Sequence, residues 1–477
     1  MNDILQERGL FWDVRVPVPP GHFAPDSAVV GGLTIGPDGQ ATLQLDGLLP
    51  SPTREDMRLS ADTLFDRCIV GLLNGSRTRV RLEKASMSGA LHATSGPSCE
   101  SFTSFVCLVG VDSAVLFAPS VSFSVVELAL DGLEHWLRFP PIDIREGKSG
   151  AIARYRKQED RVYELTEGSL ALRVTLELNR RNAGSSVKLE PRAVLIYTGS
   201  RSLSPEDARD MAGRFKDLLV LLTNSEVRLP FATVRVGPDL SPVTLYATRR
   251  SQKGKTAEPH EFWTTFQLIA DNFGALADGW IRKAEDLGAA FHLYTATRRG
   301  EHLFTEHKFV NLIWGLEALQ RRVGPVVDNQ RSETKISGML DRIENAADQK
   351  CLRKLLKRAA DPALKDRLAA ILGRLKLPVD QKALRRFAQR CAEARNDISH
   401  LGGPRHGTSY TAFVVELHKF AQALDPLYHA LILQEIGMSL DLLHQVLLSG
   451  RQSMWVRDAL REVGLDIPHT PNFAPTI

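Results

Sequence analysis

The sequence predicts an α+β protein of several domains, with an antiparallel β-rich domain followed by an all-helical one. Its 477 residues exceed what one compact domain usually holds. The first ~200 residues alternate between apolar and polar side chains, as strands do, whereas the last ~200 repeat with helical spacing. We therefore expect a β-rich domain over residues 1–203 and a helix, a short extended patch and a linker over 204–260. Residues 261–477 are expected to form the helical domain.

The strands of the first domain are marked by alternating or β-branched runs separated by turn signals such as GPDG, LNGS and NRRNAGSS. This pattern is typical of an antiparallel sandwich or barrel. The glycine motif GGLTIGPDG lacks the spacing of a phosphate loop, so hairpin turns are its expected role. Ser204 is expected to cap a helix that follows the strands. The strand runs are ATLQLDGLLP, RTRVRLEKASM, SVSFSVVELAL, LALRVTLELN and AVLIYTGS.

Three amphipathic helices dominate the second domain: Glu306 to Arg322, Asp380 to His400, and one beginning near Tyr410. Asp380 is the expected N-cap of the second helix, and Pro426 should kink or end the third. Such neighbours form an up-and-down helical bundle. The expected buried stripes are Phe309, Leu312, Ile313, Leu316 and Leu319; Leu384, Phe387, Ala388, Cys391, Ala394 and Ile398; and Phe413, Val414, Leu417, Phe420 and Leu424.

Composition excludes several classes of protein. Five scattered cysteines show neither a disulfide framework nor a zinc knuckle. The N-terminus has no apolar signal core, and the most apolar run, from Ser101, is interrupted before it could span a membrane as a helix. We expect a cytoplasmic protein without a membrane segment. EHLFTEH, from Glu301 to His307, has the composition of a metal site but the wrong spacing, so we expect only a solvated helix start there.

Positive charge is concentrated between Cys351 and His400. This segment carries thirteen Lys and Arg against five Asp and Glu, a net charge of +8, in a chain whose net charge is +4. A concentrated basic face attracts a polyanion such as RNA. The alternative is a set of solvated helix faces.

The segment RNDISHLGG begins at Arg395. If it is α-helical, Asn396 and His400 share one face, one turn apart, while Arg395 and Ser399 share a neighbouring face. The two glycines that close the segment should end the helix. Two interpretations are open: a helix C-terminus carrying ordinary cations, which the helix dipole favours, or a catalytic pair.

RNA cleavage needs these residue types. The ribose 2′-hydroxyl can attack the adjacent phosphate without a metal, and a histidine such as His400 can take or give the proton near neutral pH. An arginine such as Arg395 donates a planar fork of hydrogen bonds to phosphate oxygens. Asn396 would fix the ribose or hold the imidazole. The products would be a 2′,3′-cyclic phosphate and a 5′-hydroxyl end.

Arg-x4-His, with a polar residue directly after Arg, near the end of a helix in an all-helical domain, resembles the HEPN ribonuclease motif. The helix FVNLIWGLEAL, with Glu317, resembles the early helix of HEPN domains of the ApeA type. The N-terminal segment resembles the ApeA N-terminal domain at Gly9, Phe11 and Trp12, at a Gly-Gly-Leu turn and at the strand ATLQLDG. The resemblance covers most of the chain.

This resemblance implies a metal-independent endoribonuclease of an anti-phage system of the abortive-infection type, with tRNA among its candidate substrates. Such enzymes pair two Arg-x4-His motifs; this chain has one, which implies a homodimer or higher homo-oligomer formed through the HEPN domain. The β-rich domain would sense a phage protein or restrain the nuclease. The alternative is a non-catalytic protein that binds RNA or nucleotide, or a scaffold with a helical dimerisation domain.

We therefore expect neither metal nor cofactor, and assign candidate roles to seven residues. For Glu317 two roles are open, orienting a cation at the site or serving as a polar helix residue. The candidate catalytic residues are Arg395, His400 and Asn396, and the candidate RNA-binding residues are Arg386, Arg390 and Ser399.

Overall fold

A computed structural model gives the fold of the chain. It describes residues 3–468 except for 51–66, 75–76, 92–95, 97, 131, 139–141, 148–149, 182–185, 225–230, 237–240, 250–261, 298–302, 325–333, 335–336, 360–361 and 405–406. In this part of the chain no helix is long and apolar enough to cross a membrane.

The chain divides into two compact units. The first consists of Met1–Val220, Val227–Pro259 and Thr265–Gly274, and the second of Leu221–Glu226, His260–Thr264 and Ala275–Ile477. The first unit thus extends beyond residue 203, because the extended patch expected between the domains pairs with strands of the main sheet. The expected linker lies almost wholly outside the described residues.

The strands of the first unit belong to one large antiparallel sheet and one separate hairpin. Each of the five sequence runs predicted as strands overlaps one of these strands, and the last two runs lie wholly within β12 and β13. Their bounds are β1 Leu5–Asp13, β2 Val29–Ile35, β3 Ala41–Leu45, β4 Arg67–Leu73, β5 Thr78–Leu91, β6 Cys99–Ser104, β7 Val106–Val111, β8 Phe123–Leu128, β9 Ile142–Gly147, β10 Gly150–Tyr155, β11 Arg161–Leu165, β12 Gly168–Arg181, β13 Ser186–Leu203, β14 Ala232–Val236 and β15 Ser241–Ala247.

Six strands close into a barrel. Neighbours pair in the order β1, β2, β3, β6, β5, β4, and β4 returns to β1. The strand residues that face inward fill the barrel, among them Phe11, Leu43 and Leu82, each fully buried. Alternation of apolar and polar residues produces this interior because successive strand side chains point to opposite faces.

The rest of the large sheet continues from β5 through β7, β15, β14, β8, β13 and β12 to β11. A helix follows β13, as the sequence predicts from Ser204. The Ser204 hydroxyl accepts from the Asp207 N–H at 3.1 Å, while the Asp207 carboxylate accepts from the Ser204 N–H at 3.1 Å. This reciprocal cap satisfies two backbone donors of the first turn.

The second unit is helical. Of the described helices, three belong wholly or mostly to the first unit: the short helix α1 Leu133–Leu137, most of α2 Pro205–Thr223, and α3 Phe266–Ile269. The helices are α1 Leu133–Leu137, α2 Pro205–Thr223, α3 Phe266–Ile269, α4 Phe273–Leu287, α5 Ala289–Ala296, α6 Thr305–Val323, α7 Ala346–Ala359, α8 Leu364–Gly373, α9 Gln381–Asn396, α10 Tyr410–Glu435, α11 Leu440–His444 and α12 Ser453–Glu462, with π-helical segments at Asp397–Leu401 and Gln445–Ser449.

The core of this unit joins α6, α9 and α10 through the predicted apolar stripes. Phe420 of α10 lies with its ring centroid 5.9 Å from those of both Phe309 in α6 and Phe387 in α9. The predicted stripes are buried except for Ile398 and Val414, which are only half-buried. The β-rich front followed by a helical bundle confirms the predicted fold class.

Pro426 does not end α10, which continues to Glu435. The prediction of a helix end was therefore wrong. A proline inside a helix removes one backbone hydrogen bond at a cost of about 3 kcal/mol. Here every residue from Ala423 to Leu433 is buried, so packing on all sides of the helix offsets that cost.

Candidate ribonuclease site

The helix that carries the motif begins as the sequence predicts. The Asp380 carboxylate accepts from the backbone N–H groups of Lys382 and Ala383, at 3.2 and 3.1 Å, which satisfies two of the free donors at the helix start. Leu384, Phe387 and other residues of the stripe then bury one face of α9. The motif is thereby held on a rigid element.

Of the motif, Arg395 and Asn396 are α-helical, but the segment after them is not, although the sequence analysis assumed an α-helix throughout. From Asp397 to Leu401 the backbone follows the wider π-helical path, and Gly402 ends it in the left-handed region with φ of +71°. A π-helix bonds i to i+5 rather than i to i+4, so its turn is wider than an α-turn and contains one more residue. This wider turn separates Arg395, in the last α-helical turn of α9, from His400. Single π-turns of this kind are frequent at functional sites.

Arg395 occupies a position of the apolar stripe. It follows Leu384, Ala388 and Cys391 at steps of four, three and four residues, and all three are buried. The Arg395 side chain is half-buried. Its Nη1 donates to the Asn396 Oδ1 at 3.2 Å, whereas its Nε is buried and has no hydrogen-bond partner among the residues that the structure describes. A charged donor left unpaired in such a place is costly for folding, and a functional role is one explanation for its presence.

His400 and Ser399 lie on the exposed side of the π-helical segment, and Asn396 is also exposed. Within the described part of the chain, His400 forms no hydrogen bond or ion pair. Its two ring nitrogens are therefore open to a ligand. The structure thus places Arg395, Asn396, Ser399 and His400 together at one helix end, where the Arg395 Nε is buried, its Nη1 contacts the exposed Asn396 and His400 is exposed.

The two other candidate RNA-binding residues, Arg390 and Arg386, differ in whether they form an ion pair. Arg390 donates to the Glu416 carboxylate at 2.7 Å, and its guanidinium lies 5.0 Å from the centroid of the Phe420 ring. It therefore stabilises the contact between α9 and α10. Arg386 is exposed on the same helix, one turn before Arg390, and forms no ion pair with a described residue.

Among the residues that the structure describes, Glu317 forms ion pairs with two arginines, and neither of them is Arg395. Its carboxylate pairs with Arg321 of the same helix at 3.0 Å and with Arg367 of α8 at 3.2 Å. Both Glu317 and Arg367 are 16% exposed, so this second pair is largely shielded. Its contacts thus serve the packing of α6 against α8.

A cleft of about 320 Å³ lies next to the motif, and the sequence analysis missed it. Three of its lining residues, Ile398, Gly402 and Gly403, flank His400 in the chain. The others come from the start of α6 and the start of α10, including three residues of the EHLFTEH segment, from which only a solvated helix start was expected. They are Phe304, Glu306, His307, Tyr410 and Phe413.

Inside this cleft Tyr410 donates its hydroxyl hydrogen to the Glu306 carboxylate. That hydrogen bond lowers the pKa of Glu306 below its ordinary value and raises the pKa of Tyr410 above its own. The contact joins residues 104 positions apart, so no local sequence pattern could have revealed it. Among the described residues, no group of three His, Cys, Asp or Glu side chains is arranged to hold a metal ion.

The chain has a β-barrel domain followed by a helical bundle, and one helix of the bundle ends in the Arg-x4-His motif. These features define a protein of the HEPN class that also carries a β-rich domain. The sequence model of the ApeA N-terminal domain 1 matches residues 7–280, more than half of the chain, and that of the Apea-like HEPN domain matches 310–442. The chain belongs to the ApeA family. No curated protein and no solved structure matches it.

These families point to anti-phage defence and to a nuclease. HEPN domains typically form dimers and bind RNA. The match to the HEPN family spans α9 and the whole motif from Arg395 to Gly403, and it also spans Glu317.

Proposed function

We propose that this protein is a metal-independent endoribonuclease of an anti-phage defence system, with tRNA as a candidate substrate and Arg395 and His400 as its catalytic residues. One observation carries the proposal above the others. Arg395, half-buried in the stripe of α9, has a buried Nε without a partner among the described residues and lies just before the π-helical turn that carries the exposed His400. A phosphate oxygen is the acceptor that such a guanidinium fits best.

The reaction follows from the groups present. His400 removes the proton from the ribose 2′-hydroxyl, whose oxygen bonds to phosphorus while the bond from phosphorus to the 5′-oxygen breaks. Arg395 stabilises the charge that gathers on the phosphate oxygens. The leaving 5′-oxygen takes a proton from a second acid, and His400 of a second copy of the chain would supply it. Asn396, in contact with the Arg395 guanidinium, would set its orientation.

The requirement for two histidines supports a homodimer or larger homo-oligomer as the active form. Each copy carries one motif, exposed at a helix end, so two helix ends can face one another across a symmetric interface. Arg386 and Ser399, both exposed, would contact the RNA backbone beside the reaction. The β-rich unit would act as the sensor of a phage protein or as the restraint on the nuclease.

A cleavage assay in EDTA tests the proposal. Wild-type protein, with and without lysate from phage-infected cells, is incubated with total tRNA, and new 5′-hydroxyl ends are labelled by polynucleotide kinase. We expect Arg395→Ala and His400→Ala to reduce cleavage by at least about a hundredfold, the usual contribution of such groups. Matched controls are Arg385→Ala, an exposed arginine of the same helix, and His418→Ala, an exposed histidine of α10.

Phage plating on cells that carry each variant completes the test. Loss of protection in both motif variants, with protection kept in both controls, supports catalysis. Full protection by Arg395→Ala and His400→Ala would overturn the proposal. It would favour instead a protein that binds RNA or nucleotide without cleaving it, or a scaffold. Light scattering of the purified protein measures whether it is a dimer or larger.

A further inference from the structure

The cleft beside the motif continues the proposed reaction centre. Ile398, Gly402 and Gly403 form one of its walls, and His400 lies between them in the chain. A phosphate addressed by His400 therefore has its neighbouring nucleoside within reach of the cleft. At about 320 Å³ the cleft lies at the small end of the range for ligand pockets, a size that suits one base rather than a folded element.

Aromatic rings stand exposed on the cleft. Phe304 is 75% exposed and Tyr410 is 59% exposed. Bases of single-stranded RNA are typically held by stacking on rings of this kind, which is tolerant of sequence because every base has a π-face. The 6.0 Å edge-on contact between the rings of Phe304 and His307 holds the aromatic wall in place.

Glu306 decides which part of RNA can enter. Its carboxylate repels phosphate, so the sugar-phosphate backbone is disfavoured in the cleft. A carboxylate has about four acceptor positions; the Tyr410 hydroxyl and the Glu306 backbone N–H occupy two of them, which leaves two to accept from a ligand. Guanine presents two adjacent N–H donors on its Watson–Crick edge, and a carboxylate can accept from both. Uracil presents one N–H between two carbonyl oxygens, which a carboxylate repels.

We propose that this cleft binds a guanine base next to the phosphate that Arg395 and His400 address. The base stacks on the exposed rings and donates its two N–H groups to Glu306. The identity of the ligand as RNA rests on the proposed function. The cleft thereby gives the nuclease a preference for the base beside the cleaved bond.

Binding of uncleavable RNA tests this cleft directly. The probes are fluorescein-labelled 2′-O-methyl octamers of uridine that carry one central A, C, G or U; the methyl group blocks the attacking oxygen. Fluorescence anisotropy on the full-length protein should show the guanine octamer binding about tenfold tighter than the all-uridine octamer, the gain from one additional charge-assisted hydrogen bond. Glu306→Gln should abolish this difference, because the amide has only one acceptor oxygen and its NH2 group cannot accept from the second guanine N–H.

A second variant separates stacking from hydrogen bonding. Phe304→Leu should weaken the binding of all four octamers by about five- to a hundredfold, the range for one stacked base, while the preference for guanine persists. Met454→Ala is the matched control, since Met454 is an exposed apolar side chain of α12 that does not line the cleft. It should bind like wild type.

The outcomes distinguish this proposal from the nuclease proposal. Equal binding of all octamers by wild type, or no binding, overturns the guanine cleft even if wild type cleaves tRNA. A guanine preference that Glu306→Gln removes supports the cleft even if no cleavage is found, and the nuclease proposal then fails alone. If Phe304→Leu changes the oligomeric state and leaves RNA binding intact, the cleft holds a protein side chain and the proposal is overturned.

Discussion

Replacement of Arg395 by methionine should stabilise the helical unit while it abolishes function. The unpaired, buried Nε costs about 1–3 kcal/mol. Against this, the contact with Asn396 contributes only about 0.5–1.5 kcal/mol, and a cation near a helix C-terminus about 0.3–1 kcal/mol. Methionine keeps an unbranched apolar stem at a stripe position and adds no donor. The mid-range values of these terms give a rise of about 0.4 kcal/mol in the free energy of unfolding.

Calorimetry of the full-length protein measures this change as a rise of about 1 °C in the transition of the helical unit. Hydrogen exchange of peptides from residues 381–401 localises it. Arg385→Met is the matched control, because Arg385 is exposed on the same helix and its replacement should change stability by less than about 0.5 kcal/mol. A loss of more than about 1 kcal/mol in Arg395→Met would show that its guanidinium is satisfied in the folded protein, and would remove the main support for its role.

Two further predictions concern the neighbouring contacts. Glu317→Gln should destabilise the protein by about 1–3 kcal/mol in chemical denaturation, because it leaves the shielded Arg367 without its ion pair. Arg321→Ala removes only the exposed partner of Glu317 and should cost less than about 0.5 kcal/mol. Equal losses in the two variants would contradict the shielding of Arg367. Because the pKa of Glu306 is lowered in the folded protein, the stability that this carboxylate contributes is present above its ordinary pKa and is lost as the pH falls through the lower pKa. In NMR titrations, Tyr410→Phe should move the pKa of Glu306 back up. An unchanged pKa would contradict the hydrogen bond between the two side chains.

The architecture was predictable because it follows from the spacing of apolar residues along the sequence. Strand alternation and helical stripes identified the elements, and Asp380 and Ser204 act as the caps that their positions indicated. Local spacing in the sequence identifies no partner strands for the extended patch before the linker. Only the pairing of β14 with β8 and of β15 with β7 shows that this patch belongs to the sheet, and pairing between strands so far apart leaves no local signal.

The candidate site was predictable in its residues but not in its geometry. The motif could be located by its composition, yet Ile398 is only half-buried because the backbone leaves the α-helical path at Asp397. The steps of four, three and four residues that place Arg395 in the stripe are visible in the sequence. The contact between Glu306 and Tyr410 depends on tertiary structure alone. The catalytic and RNA-binding roles themselves stay predictions.

The π-helical turn ties the length of the motif to the shape of the backbone. An α-turn would need one residue fewer than the turn from Asp397 to Leu401, so the segment is equivalent to an α-helix with one inserted residue. Deletion of Ser399 would let α9 continue in α geometry while it shortened the Arg-x4-His spacing by one. The spacing therefore survives substitution of the residues between Arg395 and His400, but it does not survive a change in their number. Among related chains, one-residue insertions or deletions between Arg395 and His400 should be the changes that selection removes first.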